Sequence, residues 1–191
     1  MIKPKPIDSK RSWQKLTSRV VYKNKWVEVR EDDVIHPNGK KGIYGYMISP
    51  PAVFIVALSA KQEIYLISQP RYNSPESTES IEIPAGNTDG KEKLLSAKRE
   101  LQEETGLVSK NWEYIGKTEP FHAFSREVNH FYIAHNCQQT DEHAKEDEGI
   151  SAVFSVSFAD AFKMIQAGHI RDGQSITGIF KAAQRLKIIN A

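Results

Sequence analysis

Apolar and polar positions alternate through much of the first fifty residues. Thr17-Ser18-Arg19-Val20-Val21-Tyr22 and Trp26-Val27-Glu28-Val29-Arg30 read as strands within residues 17–35, His36-Pro37-Asn38-Gly39 as a hairpin turn, and Tyr44, Tyr46 and Ile48 as the returning strand. Ser49-Pro50-Pro51 then punctuates the chain, so we place a boundary there between a small N-terminal β unit, residues 1–50, and a larger domain, residues 51–191. Beyond it the pattern changes to continuous apolar runs. Ala52–Leu58 and Ile64–Gln69 read as buried strands joined by a short turn around Lys61 and Gln62. A polar loop over residues 73–80 leads into Ile81-Glu82-Ile83-Pro84-Ala85-Gly86.

Helical spacing takes over next. Asp89 reads as an N-cap with Glu92 three residues on, and Gly106 as a C-terminal stop. Leu94, Ala97 and Leu101 recur at helical spacing and face a core. At about 100° per residue, Glu100, Glu103 and Glu104 fall on a flank beside that stripe, with neighbours roughly 5 to 6 Å apart. Such a cluster has two readings. Hard carboxylate oxygens suit Mg²⁺ or Mn²⁺ held against phosphates, and the same run also fits an exposed helix laced with Glu–Arg and Glu–Lys pairs.

Later, residues 112–115, 128–134 and 152–156 read as strands. Two closing helices span residues 159–167 and 175–188, the second with apolar positions at Ile176, Ile179, Phe180, Ala183 and Leu186. The order is α/β (α+β) with mixed, mostly antiparallel strands. The acidic run over residues 141–148 reads as a mobile loop.

Composition narrows the setting. The 191 residues fit one moderate domain plus an extension, and a net charge of +2 with both signs interspersed gives neither a nucleic-acid footprint nor a membrane-surface patch. A single cysteine, Cys137, rules out an internal disulfide and fits a reducing compartment. The start of the chain lacks an apolar leader, and no run is long enough to span a bilayer. A soluble, cytoplasmic protein is expected. Its six histidines are scattered, and no P-loop, zinc spacing or Ser-His-Asp order is present.

The run Arg99-Glu100-Leu101-Gln102-Glu103-Glu104-Thr105-Gly106-Leu107 resembles the second half of the Nudix box at every specified position. The first half departs from the family pattern. One residue fewer separates Gly86 from Arg99, and Lys91 stands where the family has its first glutamate, with Glu92 one position late. Gln69-Pro70-Arg71-Tyr72, the Glu82-Ile83-Pro84-Ala85-Gly86 segment and Gly168-His169-Ile170-Arg171-Asp172 are similar to segments of the ADP-ribose and nucleoside-diphosphate-sugar pyrophosphatases of that family. The resemblance implies a Nudix fold, a mixed sheet sandwiched between helices, with a small N-terminal β extension.

It also implies roles. Glu100, Glu104 and Glu103 become metal ligands with the Ala85 carbonyl, and Arg99 orients a neighbouring glutamate. Glu146 becomes the general base and Glu148 a further ligand, with Glu103 a second catalytic candidate. Arg71 becomes a phosphate contact or an ion-pair partner; Glu82 reaches a metal or an arginine. Trp26 and Tyr44, eighteen apart, match two aromatics that clamp a base in some relatives, although core packing explains Trp26 equally. His122 stands in the turn Pro120-Phe121-His122-Ala123 where the ADP-ribose hydrolases have a second proline. That broadens the expected substrates from ADP-ribose to other nucleoside diphosphate sugars, GDP-mannose among them. Mg²⁺, replaceable by Mn²⁺, and a homodimer built through the N-terminal strands complete the expectation. Two other readings stand beside it: a non-catalytic nucleotide-sugar sensor, and a hydrolase of nucleoside triphosphates or capped RNA.

Overall fold

A computed structural model describes residues 12–75, 78–140 and 149–189, together with Lys3 and Pro6. Its backbone contacts gather into two compact units. One holds the described residues up to Pro50 together with Phe121–Glu127; the other holds Pro51–Pro120 and the described residues from Val128 onward. The turn that carries His122 therefore joins the N-terminal unit, not the larger domain in which the residue 50 boundary places it.

The N-terminal unit is an antiparallel sheet of β1 (Gln14–Lys23), β2 (Glu28–Ile35) and β3 (Lys41–Ile48), in that order. A Gly39 N–H to His36 carbonyl bond of 2.8 Å closes the turn between β2 and β3, with Gly39 at φ +82°. Left-handed backbone of this kind is what glycine supplies without strain. Strand β1 is exposed along all ten residues, Leu16, Val20, Val21 and Tyr22 included. Phe121–Glu127 is tied to β3 by Met47 N–H to Phe124 carbonyl (2.7 Å) and Arg126 N–H to Met47 carbonyl (2.9 Å).

The larger unit is built on β4 (Ala52–Leu58), β5 (Ile64–Gln69), β6 (Ser80–Glu82), β7 (Ala85–Asn87), α1 (Lys93–Thr105), β8 (Leu107–Val108), β9 (Asn111–Thr118), β10 (Asn129–His135), β11 (Gln138–Gln139), β12 (Ala152–Val156), α2 (Phe158–Gln166) and α3 (Gly173–Arg185). Seven strands form one sheet, ordered β12-β5-β4-β10-β9, with β6 added to β5 and β7 to β4. Only β4 and β10 run parallel; the other pairs are antiparallel. The two-residue strands β8 and β11 pair separately.

Side chains of β4 alternate between two cores, as the period of a strand requires. Val53, Ile55 and Ala57 meet Ala97 and Leu101 of α1, whereas Val56 and Leu58 meet Ile179, Ala182 and Ala183 of α3. The mixed sheet is thus sandwiched between helices, and each fully buried Ile or Leu contributes roughly 1.5 to 3 kcal/mol. In α3 the buried stripe runs through Ser175, Gly178, Ile179, Ala182 and Ala183. A Cβ at Gly178 would lie 2.6 Å from Ile83 Cδ1, so the helix sits close to the sheet along its small residues. Phe180, expected in the core, is consequently turned outward at 44% exposure and meets Phe162 instead.

Asp89 is not the N-cap of α1. It lies in a left-handed turn (φ 49°) with Gly90 (φ 75°), and the helix begins four residues later, at Lys93. Glu92 is the cap: its carboxylate accepts from Leu94 N–H at 3.0 Å and Leu95 N–H at 2.9 Å. Gly106 ends the helix in the left-handed region, its N–H bonded to the Gln102 carbonyl at 2.8 Å. Among the described residues, no helix is long and apolar enough to cross a membrane.

Candidate functional site

Helix α1 crosses strand β7, which is itself hydrogen-bonded to the buried edge of β4. Because α1 buries Ala97 and Leu101, the flank bearing Glu100 and Glu104 is pressed onto β7 and not left to solvent; the two are 8% and 6% exposed. Glu104 Oε2 accepts the Ala85 N–H at 2.8 Å. The Glu100 carboxyl packs on Gly86, where a Cβ would stand 2.1 Å from it. Glu103 is less buried and turns to Arg99, which donates to Glu103 at 2.5 Å, to Glu100 at 2.6 Å and to the Asn87 carbonyl at 3.1 Å. Partial burial opposes the Arg99 charge, yet Glu100 and Glu103 hold its pKa above the ordinary value.

The three carboxylates therefore do not converge on one point. Arg99 draws Glu103 and Glu100 together, while Glu104 faces the Ala85 amide. Among the described residues no three His, Cys, Asp or Glu side chains are gathered closely enough to hold a cation. The donor set still fits a hard divalent ion. Mg²⁺ commonly takes one or two carboxylates and fills its remaining positions with water and substrate phosphate, and Glu100 and Glu104 are two such carboxylates fixed on one backbone segment.

Beside them lies a cavity of about 650 Å³ whose walls include Arg71, Glu82, Ala85, Gly86 and Arg171. Arg71 donates through Nε (2.9 Å) and Nη2 (2.5 Å) to the two oxygens of the buried Glu82, a bidentate pair. Burial works against the Glu82 charge, but the Arg71 hydrogen bonds and charge keep its pKa below the ordinary carboxylate range. Glu104 adds to the field that raises Arg71. Of the readings open to these two residues, the structure shows the ion pair. Arg171, bonded to Thr78 Oγ1 at 3.0 Å, brings a second guanidinium to the same wall. Nothing in the sequence singled it out as a binding residue.

In the N-terminal unit, Trp26 and Tyr44 are far apart within one chain. Asp32 pairs with Tyr44 and Glu28 with Ile48, so Tyr44 faces the middle of β2, whereas Trp26 lies in the turn that precedes that strand. Core packing does not account for Trp26 either: it is 62% exposed, with Lys25 Nζ 4.1 Å from its ring. Tyr44 instead meets Trp13 edge to face at 5.2 Å and donates its hydroxyl to the Ala123 carbonyl at 2.6 Å. Tyr44 and His122 share the wall of a second cavity, about 460 Å³. Glu146 and Glu148 lie outside the described residues.

Residues 13–47 match the family described as nucleoside diphosphate sugar hydrolase N-terminal domain, and residues 48–177 match the NUDIX domain. An ADP-ribose pyrophosphatase of Bacillus subtilis is 28% identical over 161 residues, which cover 83% of this chain and 86% of that protein. A GDP-mannose pyrophosphatase of Shigella flexneri is 30% identical over 132 residues, 65% of this chain and 69% of that protein. A crystal structure described as an ADP compounds hydrolase superposes with a TM-score of 0.81, covering 95% of this chain and 97% of the other, at 18% identity. At that identity the likeness speaks for the fold alone.

Proposed function

The chain belongs to the NUDIX family, and from that premise we propose that it is a Mg²⁺-dependent pyrophosphohydrolase of nucleoside diphosphate sugars, releasing a nucleoside monophosphate and a sugar phosphate. The observation that carries this reading is the placement of Glu100 and Glu104. Two carboxylates are held in a nearly dry setting against Ala85 and Gly86, and Gly86 lines a cavity that also presents Arg71 and Arg171. The match of residues 13–47 to a nucleoside diphosphate sugar hydrolase domain supports the substrate class.

Each residue has a part in the proposal. Glu100 and Glu104 are the principal ligands, with Glu103, Glu148 and the Ala85 carbonyl as further ones. When bound, Mg²⁺, or Mn²⁺ in its place, neutralises charge developing on the diphosphate and makes the attacking water more acidic. Arg99 positions Glu100 and Glu103. Arg171 contacts a phosphate, and Arg71 reinforces that field while fixing Glu82. Water attacks one phosphorus, its proton passes to Glu146 or Glu103, and the bridging P–O bond breaks. The exposed apolar strand β1 supports a homodimer; bringing Trp26 to Tyr44 takes a second copy of the chain. The lone, buried Cys137 supports placing the enzyme in the cytoplasm.

Glu92 is the observation that favours the sensor reading. It accepts two backbone N–H groups at the helix start, so it does not replace the missing first glutamate of the box. Turnover of ADP-ribose, GDP-mannose, UDP-glucose and a nucleoside triphosphate with Mg²⁺, beside Glu104→Gln, tests both. Metal-dependent cleavage of a diphosphate sugar, reduced about 10³-fold or more in the variant, is expected. Binding without turnover would make the protein a sensor, and preferential triphosphate cleavage would shift the substrate class.

A further inference from the structure

The second cavity holds a buried acid, Asp32, whose charge feels Arg30 two residues back on the same face but whose Oδ1 has no hydrogen-bond partner among the described residues. Cross-strand register places Asp32 opposite Tyr44 and Arg30 opposite Tyr46, so Asp32, Tyr44 and Tyr46 share one face of the N-terminal sheet, and that face floors the cavity. Asp32 is 4% exposed. A buried polar atom left unpaired is destabilising unless a ligand or water satisfies it. The walls limit what that ligand can be. Trp13 and Tyr44 meet at 81° and form an aromatic corner, and Arg126 lies 4.2 Å over the ring of Tyr46. Lys15 and Arg126 bring positive charge to the same walls, and an aliphatic group would leave the Asp32 oxygen unpaired. A flat ring with N–H donors on its edge answers both the acid and the aromatic corner.

We infer that this cavity is a nucleobase site in which Asp32 reads the donor edge of guanine. The N1–H and 2-amino groups of guanine lie side by side and both donate toward a carboxylate. Adenine places a single amino donor beside the N1 lone pair, and uracil flanks its N–H with two carbonyls, so each sets an acceptor against the acid. The assignment rests on the diphosphate-sugar reading for what carries the base, and it makes Asp32 a specificity-determining residue.

Calorimetric titration of the full chain with GMP, IMP and AMP at up to millimolar concentration tests it without a variant. GMP is expected to bind at least about tenfold tighter than AMP, with IMP, which lacks the 2-amino group, in between. Asp32→Asn, checked by its melting curve, should remove the preference. Equal binding of the three nucleotides, no binding of any, or a preference that survives Asp32→Asn would overturn the inference. Parallel turnover of GDP-mannose and ADP-ribose separates the two readings. Guanine selectivity without any turnover overturns the hydrolase and keeps the base reader, whereas turnover without selectivity does the reverse.

Discussion

The carboxylate of Glu100 lies against the bare Cα of Gly86, so close that a Cβ there would stand 2.1 Å from it. Gly86 carries no positive φ, so alanine is acceptable to the backbone and only the Glu100 carboxylate must move. Gly86→Ala should therefore fold with a melting temperature near that of the parent. Its metal-dependent turnover should fall about 10²-fold, the usual consequence of shifting a catalytic group by an ångström. Scanning calorimetry beside steady-state kinetics checks this; undiminished kcat would count against the proposal that Glu100 is a metal ligand.

The Arg71–Glu82 pair predicts a reversal in pH dependence. In the parent protein Glu82 titrates below its ordinary value of 4.5, so its stabilisation is complete above that pH and is lost on acidification through the folded pKa. Arg71→Met leaves Glu82 buried with desolvation dominant, which pushes its pKa above 4.5. The variant's deficit should then be largest at neutral pH and shrink as pH falls toward 4.5. Melting temperatures from pH 4 to 8 for the two proteins distinguish the cases, and parallel curves would count against the pair.

Glu92, not Asp89, caps helix α1. Glu92→Ala should lower the melting temperature, because Leu94 and Leu95 lose their acceptors, while Asp89→Gly, which keeps the left-handed backbone, should cost less. Equal losses would restore Asp89 as the cap.

Gly178 is where α3 approaches the sheet. Gly178→Val would push against Ile83 Cδ1 and Phe131 and should destabilise the protein by about 1 to 3 kcal/mol in urea titration. No loss would show that the helix shifts freely.

Much of this was legible in the sequence wherever periodicity is long enough to be unambiguous. Ala52–Leu58 and Ile64–Gln69 are continuous apolar runs, and both are strands over those bounds. The acidic helix announced itself through its glutamates, and Gly106 through its position. What failed did so for physical reasons. Strands β8 and β11 are two residues long and carry no period. Asp89 was read as the cap because an acid followed by another three residues on fits a capping box, but the left-handed turn at Asp89 and Gly90 delays the helix and makes Glu92 the cap. Phe180 looked like core because small residues such as Gly178 and Ala182 carry little apolar signal, yet they set which face of α3 approaches the sheet. Spacing in sequence said nothing of the distance between Trp26 and Tyr44, which depends on hairpin register. Asp32 was hidden in a charged run, Glu31-Asp32-Asp33, whose burial alternates only in the folded sheet.

Cys137 offers a check on the core itself. Burial pushes its thiol up to about 11, so at pH 8 only about one part in a thousand is thiolate. Alkylation by iodoacetamide should be very slow in the native protein and complete in denaturant. Rapid native labelling would mean that the cluster of Val53, Leu101 and Tyr132 around it opens readily.

Strand β4 is hydrogen-bonded along both edges and covered by helices on both faces. Its amides should be among the last to exchange with deuterium, and β7, paired to it, shares that protection. The carboxylates proposed for the chemistry thus hang on the slowest-opening part of the molecule, while the proposed reader of the base stands on a separately packed three-stranded sheet. If both proposals hold, the residues that select the substrate and those that hold the metal belong to different compact units, so what is cleaved and how it is cleaved are encoded in separate stretches of the chain.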